Sequence, residues 1–199
     1  PTRRSSDLAD LTKSLVHPYV PRFPRHVSYD LVLFGSWRRK GVYVGEKQIA
    51  SPGSYPVAGF NFAPMYNLNY KLRFGVSLDG VYDGSANVYT EDALVEYDAG
   101  SGSSRRKFLV PGIQNQLALG LSGRAEYVMP FFTIGVGLGT NVLGRGDLRG
   151  LYQVFALKIN VTRSSFLHIG YNLQDFQTPN YLMLGLGFRF NNKYPKVRH

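Results

Sequence analysis

His168 is the residue of this chain best suited to acid–base chemistry, because it is the only histidine inside a long run of alternating apolar and polar residues. The remaining histidines lie at or beyond the ends of the patterned region: His17, His26 and His199. A histidine activates a serine hydroxyl for acyl transfer when an acid orients its ring. Ser77 and Ser122 are candidate nucleophiles and Asp175 is a candidate orienting acid, although their spacing does not place them beside His168. The alternative is a structural histidine that is hydrogen-bonded to charged neighbours.

The elements that would position these residues are eight runs in which apolar and polar residues alternate. They cover residues 27–39, 55–67, 70–83, 113–128, 131–143, 151–162, 165–174 and 181–190. A tilted transmembrane strand needs about 9–11 residues, so each run is long enough to cross a bilayer. No stretch of about 18 consecutive apolar residues occurs, which excludes a transmembrane helix. The pattern predicts an all-β fold, an eight-stranded antiparallel β-barrel.

The two faces of each predicted strand differ in character. In residues 181–190, Leu182, Leu184 and Leu186 share one face, whereas Gly185 and Gly187 lie on the other. The apolar face points outward in a transmembrane barrel and inward in a soluble lipid-binding barrel. An eight-stranded lumen is barely wide enough for side chains, so repeated glycines belong inside. Aromatic residues near the ends of the runs also fit the interfacial girdles of an outer-membrane barrel. We therefore favour a transmembrane, outer-membrane β-barrel.

The outward orientation of the apolar face directs seven charged side chains into the lumen: Asp30, Arg73, Asp79, Arg124, Glu126, Lys158 and Arg189. Buried charges must be paired or solvated. We therefore expect an ion-pair network that fills the barrel and holds its shape, rather than catalysis or transport. By the same parity, His168 lies on the lumenal face with Phe166 and Gly170. A pore is not expected, because eight strands leave no aqueous channel.

The connections between the predicted strands alternate in length. Tight turns near 67–70, 128–131 and 162–165 alternate with longer loops near 40–54, 84–112, 144–150 and 174–180. This layout is typical of outer-membrane barrels, whose long loops face outside. With an even number of strands, both termini are then periplasmic. The chain divides into a basic N-terminal extension (1–26), the barrel (27–190) and a basic C-terminal tail (191–199).

The formal net charge of +10 is concentrated in the two tails. Residues 1–25 contain five basic and two acidic residues, and residues 191–199 contain three basic residues and no acid. Anionic phospholipid headgroups or an acidic partner protein would complement these charges. Nucleic acid is not expected on the periplasmic side. The alternative is that the tails are only solvated.

Basic residues also lie at strand ends and in loops on the predicted outer side: Arg38, Arg39, Lys40, Arg105, Arg106, Lys107, Arg145 and Arg149. They predict contacts with lipopolysaccharide phosphates. The acidic residues of the second long loop lack the spacing of a metal-binding loop, and the chain contains no cysteine. Neither a metal nor another cofactor is predicted.

Several segments carry a resemblance to a known family. They are residues 75–82 (GVSLDGVY), 118–130 (ALGLSGRAEYVMP), 150–163 (GLYQVFALKINVTR), 166–175 (FLHIGYNLQD) and 178–190 (TPNYLMLGLGFRF). Together they resemble the acyloxyacyl hydrolase, or lipid A deacylase, family as it occurs in Bacteroidetes-type bacteria, over roughly residues 30–190. The resemblance implies an eight-stranded outer-membrane barrel that removes an acyl chain from lipid A with a serine, a histidine and an acid.

The same resemblance bears on the catalytic residues. The family motif is His-x-Ser on the penultimate strand, which places His168 at the histidine and Gly170 at the serine. No Asp or Glu occurs at 180–184, near where the acid is expected. Glycine supplies no nucleophile.

Two functions follow for a protein of the bacterial outer membrane. The favoured one is a catalytically degenerate barrel that acts as a structural or accessory subunit of an outer-membrane protein assembly. Such a subunit would contact another outer-membrane or periplasmic protein through its outer face or its basic tails. The alternative is an active lipid A deacylase that hydrolyses an ester-linked acyl chain of lipopolysaccharide.

Overall fold

A computed structural model describes residues 22–39, 41–44, 47–50, 54–97, 104–109, 111–176 and 178–194 of the chain. In these residues the strands are β1 (His26–Arg38), β2 (Gly41–Val44), β3 (Lys47–Ala50), β4 (Tyr55–Asn67), β5 (Leu72–Asp83), β6 (Tyr89–Tyr97), β7 (Ser104–Leu109), β8 (Leu117–Val128), β9 (Phe132–Leu143), β10 (Leu151–Asn160), β11 (Ser165–Gln174) and β12 (Thr178–Phe190). Short 3-10 turns cover Ile113–Asn115 and Gly146–Leu148. None of the helical segments in the described residues is long and apolar enough to cross a membrane.

Eight of these strands form a closed antiparallel barrel in the order β1-β12-β11-β10-β9-β8-β5-β4, which confirms the predicted fold. The barrel closes where β1 pairs with both β4 and β12. Each barrel strand corresponds to one alternating run of the sequence. The boundaries differ slightly: β12 begins at Thr178 rather than at 181, and β8 begins at Leu117 because a 3-10 turn occupies Ile113–Asn115.

The two long segments expected to be loops contain hairpins instead. Strands β2 and β3 pair within 40–54, and β6 and β7 pair within 84–112. Their pairing was missed because the segments are short or carry charges where a half-buried strand would alternate apolar and polar residues. Within the part of the chain that the structure describes, each hairpin forms a separate two-stranded sheet outside the barrel sheet.

In the tight turns, side-chain oxygens accept hydrogen bonds from backbone N–H groups of the turn. The Asn69 Oδ1 atom accepts hydrogen bonds from the backbone N–H groups of Lys71 and Leu72, each at 2.8 Å. Between β10 and β11, the Thr162 Oγ1 atom accepts from the N–H groups of Ser164 and Ser165. Asn and Thr are turn formers because their short side chains reach nearby backbone donors. We refer to this end of the barrel as the tight-turn end and to the opposite one as the long-loop end.

The apolar residues of the strands face outward. Leu186 is 55% exposed and its partner Leu33 is 53% exposed, whereas the lumenal residue Asp30, on the same strand as Leu33, is fully buried. A water-soluble barrel would reverse this arrangement, so the soluble lipid-binding interpretation is wrong. A belt of exposed aliphatic and aromatic side chains around a polar interior is the pattern of a barrel that sits in lipid.

The residues just before β1 and just after β12 contact each other at the tight-turn end. The Lys193 N–H donates to His26 Nε2 at 3.2 Å, and the Asn191 amide donates to the Val27 carbonyl at 2.7 Å. The Phe23 ring packs edge-on against Tyr194, with ring centroids 5.1 Å apart. The two tails therefore start side by side, while residues 1–21 and 195–199 lie outside the described residues.

Candidate functional site in the barrel lumen

Asp30 is the centre of an ionic group in the tight-turn half of the lumen. Its carboxylate lies 2.6 Å from Arg73 Nη2, 2.8 Å from Lys158 Nζ and 2.9 Å from Arg189 Nε. These side chains come from β1, β5, β10 and β12, and all are buried. One carboxylate thus joins strands from around the whole barrel.

Glu126 on β8 completes this group. Its oxygens lie 2.5 Å from Arg73 Nη2 and 2.7 Å from Lys158 Nζ. Arg73 and Lys158 therefore bridge both carboxylates. We call Asp30, Arg73, Glu126, Lys158 and Arg189 the Asp30 cluster; it holds three cations against two carboxylates.

Phe166 provides an apolar contact for this cluster. The ring centroid lies 5.0 Å from Lys158 Nζ and 5.2 Å from the Arg189 guanidinium carbon. Attraction between a cation and an aromatic face adds to the ion pairs in a dry interior.

Asp79 is the centre of a second group, closer to the long-loop end. It accepts hydrogen bonds from Arg124 Nη2 at 2.7 Å and from Tyr152 OH at 2.7 Å. The hydroxyls of Ser77 and Ser122 donate to it at 2.5 and 2.6 Å. We call Ser77, Asp79, Ser122, Arg124 and Tyr152 the Asp79 cluster; the Asn61 amide also donates to Asp79, at 2.7 Å.

The seven charged residues expected in the lumen are all buried there, but they form two groups rather than one network. Within the described residues, ion pairs join Asp79 only to Arg124, and the other five residues only to one another. The reason is position along the strands. Asp79 lies six residues beyond Arg73 on the same strand, so it is nearer the long-loop end.

Sequence reasoning missed Tyr152 and Asn61 as partners of Asp79. Both lie on lumenal positions, and Tyr152 is 5% exposed. Parity along β10 could have identified Tyr152, since it shares a face with Val154 and Lys158. Its proximity to Asp79 depends on strands that are not neighbours in the sheet, which no local pattern reveals.

His168 occupies the lumen as expected, but without the expected hydrogen bonds. The side chain is 1% exposed, and neither Nδ1 nor Nε2 has a partner among the described residues. It lies directly opposite Lys158 on β10 and Gly185 on β12. The expectation of a histidine hydrogen-bonded to charged neighbours is therefore wrong: the nearby carboxylates are already occupied by the cations of the Asp30 cluster.

The candidate nucleophiles and acid do not join His168. The hydroxyls of Ser77 and Ser122 donate hydrogen bonds to Asp79 rather than to His168. Asp175 is exposed in the turn after β11. The structure thus brings the two serines together around an acid, but with Arg124 rather than a histidine as the basic group.

A side chain at position 170 would lie next to the imidazole. A Cβ atom on Gly170 would lie 2.7 Å from His168 Nε2 and 2.6 Å from the Met183 methyl group. Gly170 itself offers only backbone atoms there. A nucleophile at this site would need both an added oxygen and a shift of the Met183 side chain.

Space in the long-loop half of the lumen is small. The cavity beside Asp79, lined in part by Phe34, Asn61, Tyr152 and Tyr181, has a volume of about 30 Å³. That volume suits about one water molecule. The surrounding apolar cluster of Phe34, Val57, Val154, Tyr181 and Met183 fills the rest of this level.

The tight-turn mouth is more open. A concavity of about 680 Å³ lies between the turns, and its lining contains Lys71, Arg163 and Arg189 together with Tyr70 and Tyr194. No acidic side chain contributes to the lining among the residues described. The mouth is therefore a basic surface next to the start of both tails.

The basic residues expected to face lipopolysaccharide differ in their surroundings. Arg38 is bonded to Asp83 at 3.0 Å and to Asn180, so its charge is largely satisfied within the barrel. Arg39, Arg145 and Arg149 are exposed at the long-loop end. Lys40 and the side chains of Arg105, Arg106 and Lys107 lie outside the described residues. In the part of the chain that is described, no group of acidic residues or histidines could hold a metal ion.

The chain is similar to known outer-membrane proteins in structure and to one protein family in sequence. Among solved structures, the chain resembles Ail, the attachment invasion locus protein of Yersinia pestis, in complex with the heparin analogue sucrose octasulfate, at 13% identity and a TM-score of 0.44. A second structure of Ail matches at 14% identity with the same TM-score. In both cases 84% of this chain and all of the Ail chain are covered. No curated protein matches.

A protein family matches most of the chain. The acyloxyacyl hydrolase C-terminal domain covers residues 27–192, which include every strand of the barrel after the first residue of β1. The match agrees with the resemblance found in the strand segments and with the closed eight-stranded architecture. The chain belongs to the acyloxyacyl hydrolase family of outer-membrane β-barrels.

Proposed function

We propose that this chain is a catalytically degenerate member of its family that serves as a structural or accessory subunit of an outer-membrane protein assembly. The observation that carries the proposal is the state of His168. Its ring is buried in the lumen, and neither nitrogen is bonded to a hydroxyl or carboxylate of the described chain. Acyl transfer requires an activated nucleophile beside its base, and the family resemblance aligns Gly170 with the serine of the His-x-Ser motif.

Access to His168 also argues against hydrolysis at this residue. An acyl chain in the membrane meets the outer wall, whereas the imidazole points into the lumen opposite Lys158. The lumen around it is filled by the Asp30 cluster and the apolar residues near Met183. A lipid would have to displace ion pairs that join β1, β5, β8, β10 and β12.

The tight-turn mouth supports a partner-binding role. Lys71, Arg163 and Arg189 line a concavity beside the first residues of both tails. Opposite charge on a partner would be attracted to this surface. With the tails periplasmic, an acidic periplasmic or outer-membrane protein, or anionic phospholipid headgroups, would complement it.

The first experiment compares lipid A from cells with and without the protein by mass spectrometry. We expect the same acyl pattern in both, and His168→Ala should not change it. Loss of one ester-linked acyl chain that depends on the protein would overturn the degenerate assignment.

The second experiment tests the assembly role. The full-length protein is purified in mild detergent from its own membrane, and co-purifying proteins are identified by mass spectrometry. We expect a stoichiometric partner that is lost when Lys71 and Arg163 are both replaced by Glu. Lys47→Glu with Arg39→Glu, at the long-loop end, is the matched control. Purification as a partner-free monomer would contradict the proposal.

Family membership favours one alternative, an active lipid A deacylase. Exposed Arg39, Arg145 and Arg149 would then bind lipopolysaccharide phosphates at the long-loop end. The lipid A measurement separates the two functions directly, because only the alternative changes the acyl pattern.

A further inference from the structure

A groove crosses the outer wall of the barrel, on strands β5, β8, β9 and β10. Strand register places Val76, Gly123, Leu138 and Gln153 in one row across these four strands. The neighbouring row consists of Phe74, Ala125, Val136 and Phe155. The groove between these side chains has a volume of about 670 Å³. Small-molecule sites commonly have about 300–1,000 Å³.

The floor of the groove is formed by small residues. A Cβ atom on Gly123 would meet only the Leu138 carbonyl oxygen, at 4.0 Å, so the space above this glycine is open. Ala125 follows on the same face of β8. Larger apolar side chains stand on either side, from Phe74 and Val76 to Leu138 and Phe155.

Gln153 gives the groove a polar end. It occupies an outward position on β10, between Leu138 on β9 and Leu173 on β11, yet it is only 5% exposed. Its Oε1 atom accepts a hydrogen bond from the Phe176 N–H at 2.9 Å. Its Nε2 atom has no partner among the described residues. A buried amide donor in apolar surroundings is unfavourable unless an acceptor reaches it.

Phe176 closes this end of the groove. Its backbone adopts φ +62°, a left-handed conformation that is rare for a bulky residue, and the residue is 67% exposed. Strained positions of this kind persist when surrounding contacts hold them. Here the hydrogen bond to Gln153 holds Phe176 over the outer wall.

We propose that this groove binds one acyl chain of a membrane lipid, with Gln153 Nε2 donating a hydrogen bond to the ester carbonyl. The direction of the groove matches such a ligand. Gln153 lies two residues from the long-loop end of β10, whereas Gly123 lies in the middle of β8. A lipid has its ester group near the rim and its chain toward the centre of the bilayer. This site is separate from His168 and does not depend on whether the chain is catalytic.

A transmembrane segment of a partner protein fits less well. Its backbone carbonyls are bonded within its own helix or sheet, so it offers Gln153 no free acceptor of the kind an ester supplies. Among the described residues that line the groove, Arg124 is the one charged residue, and its side chain is bonded to Asp79 in the lumen.

The experiment measures lipid retention by the full-length protein. The protein is reconstituted in vesicles of phosphatidylethanolamine and phosphatidylglycerol, extracted with mild detergent and analysed by native mass spectrometry. We expect one phospholipid to remain bound to the wild type and none to Gly123→Leu. Gln153→Leu should lower retention by about two- to tenfold, the effect of one hydrogen bond.

Gly35→Leu is the matched control. Gly35 is an outward glycine on β1, and a Cβ atom there would meet only the Val57 carbonyl oxygen, at 3.9 Å. It should retain lipid like the wild type.

Heat-dependent electrophoretic mobility reports whether each variant is folded. If Gly123→Leu does not fold, Ala125→Leu is used instead, because it obstructs the same floor of the groove. Any one of four results would overturn the proposal. The wild type carries no bound lipid, or it carries a bound polypeptide instead. Gly35→Leu and Gly123→Leu lose lipid equally, or Gln153→Leu retains as much lipid as the wild type.

Discussion

The Asp30 cluster and the Asp79 cluster occupy the same lumen but are built differently. Asp30 is bonded to three cations, two of which also bond Glu126. Asp79 is bonded to a single cation, Arg124, and otherwise to neutral donors such as Tyr152 and Ser122. The first cluster balances charge with charge, and the second solvates one carboxylate with hydroxyl and amide groups.

This difference indicates how the two levels of the barrel depend on their charges. Loss of one carboxylate from the Asp30 cluster leaves three buried cations with one acid. Loss of charge at Asp79 leaves one arginine and several neutral groups that can bond a neutral acceptor. The tight-turn half should therefore be sensitive to charge, whereas the long-loop half should be sensitive mainly to hydrogen bonding.

Asp30→Asn should have the largest effect on stability. Breaking a buried ion pair by removing one partner costs about 3–5 kcal/mol because the other charge stays buried. Denaturant-induced unfolding in lipid vesicles measures the change. The double variant Asp30→Asn with Lys158→Met restores the surplus of one positive charge, so it should be less destabilised than the sum of the two single variants. Simple additivity would show that charge balance is not what the cluster provides.

Asp79→Asn should cost less, about 3 kcal/mol, the lower end of the range for a broken buried ion pair, since Arg124 loses its ion pair while the amide oxygen still accepts hydrogen bonds from the surrounding donors. The same unfolding measurement applies. A loss equal to that of Asp30→Asn would remove the distinction between the two clusters.

Tyr152→Phe should reduce stability by about 1 kcal/mol, because it deletes one of several hydrogen bonds to Asp79 and keeps the ring in place. Tyr171→Phe, on the outward face of β11, is the control and should be nearly neutral. A loss above about 3 kcal/mol would identify the tyrosine, rather than Arg124, as the main partner of Asp79.

His168→Leu should have the smallest effect, within about 1 kcal/mol, because neither ring nitrogen has a partner in the described part of the chain and an apolar replacement leaves no polar group unsatisfied. Thr133→Val, which removes another unpartnered buried oxygen, should behave alike. A large destabilisation in either variant would mean that the group bonds an internal water.

Much of this arrangement could be predicted from the sequence. Alternation along residues 181–190 and 131–143 locates β12 and β9 and identifies their apolar faces, because successive side chains of a strand point to opposite sides. The same parity places Asp30, Arg73 and His168 in the lumen. The family match and the strand number follow from these segments. The charged hairpin β6–β7 could not be found in this way, since its residues do not alternate as a half-buried strand does.

The sequence by itself determined the barrel, the side on which each residue lies and the family, since a period of two is local and repeats along every strand. Only the tertiary structure decided which lumenal groups meet: that the charges separate into two clusters, that Ser77 and Ser122 bond Asp79, and that His168 has no hydrogen-bond partner among the residues described. Apart from the bond between Ser77 and Asp79 within β5, those contacts join strands far apart in the chain, and they depend on the register and closure of the barrel. The same reason hid Gln153, whose outward amide is buried and accepts a hydrogen bond from the Phe176 N–H in the turn after β11.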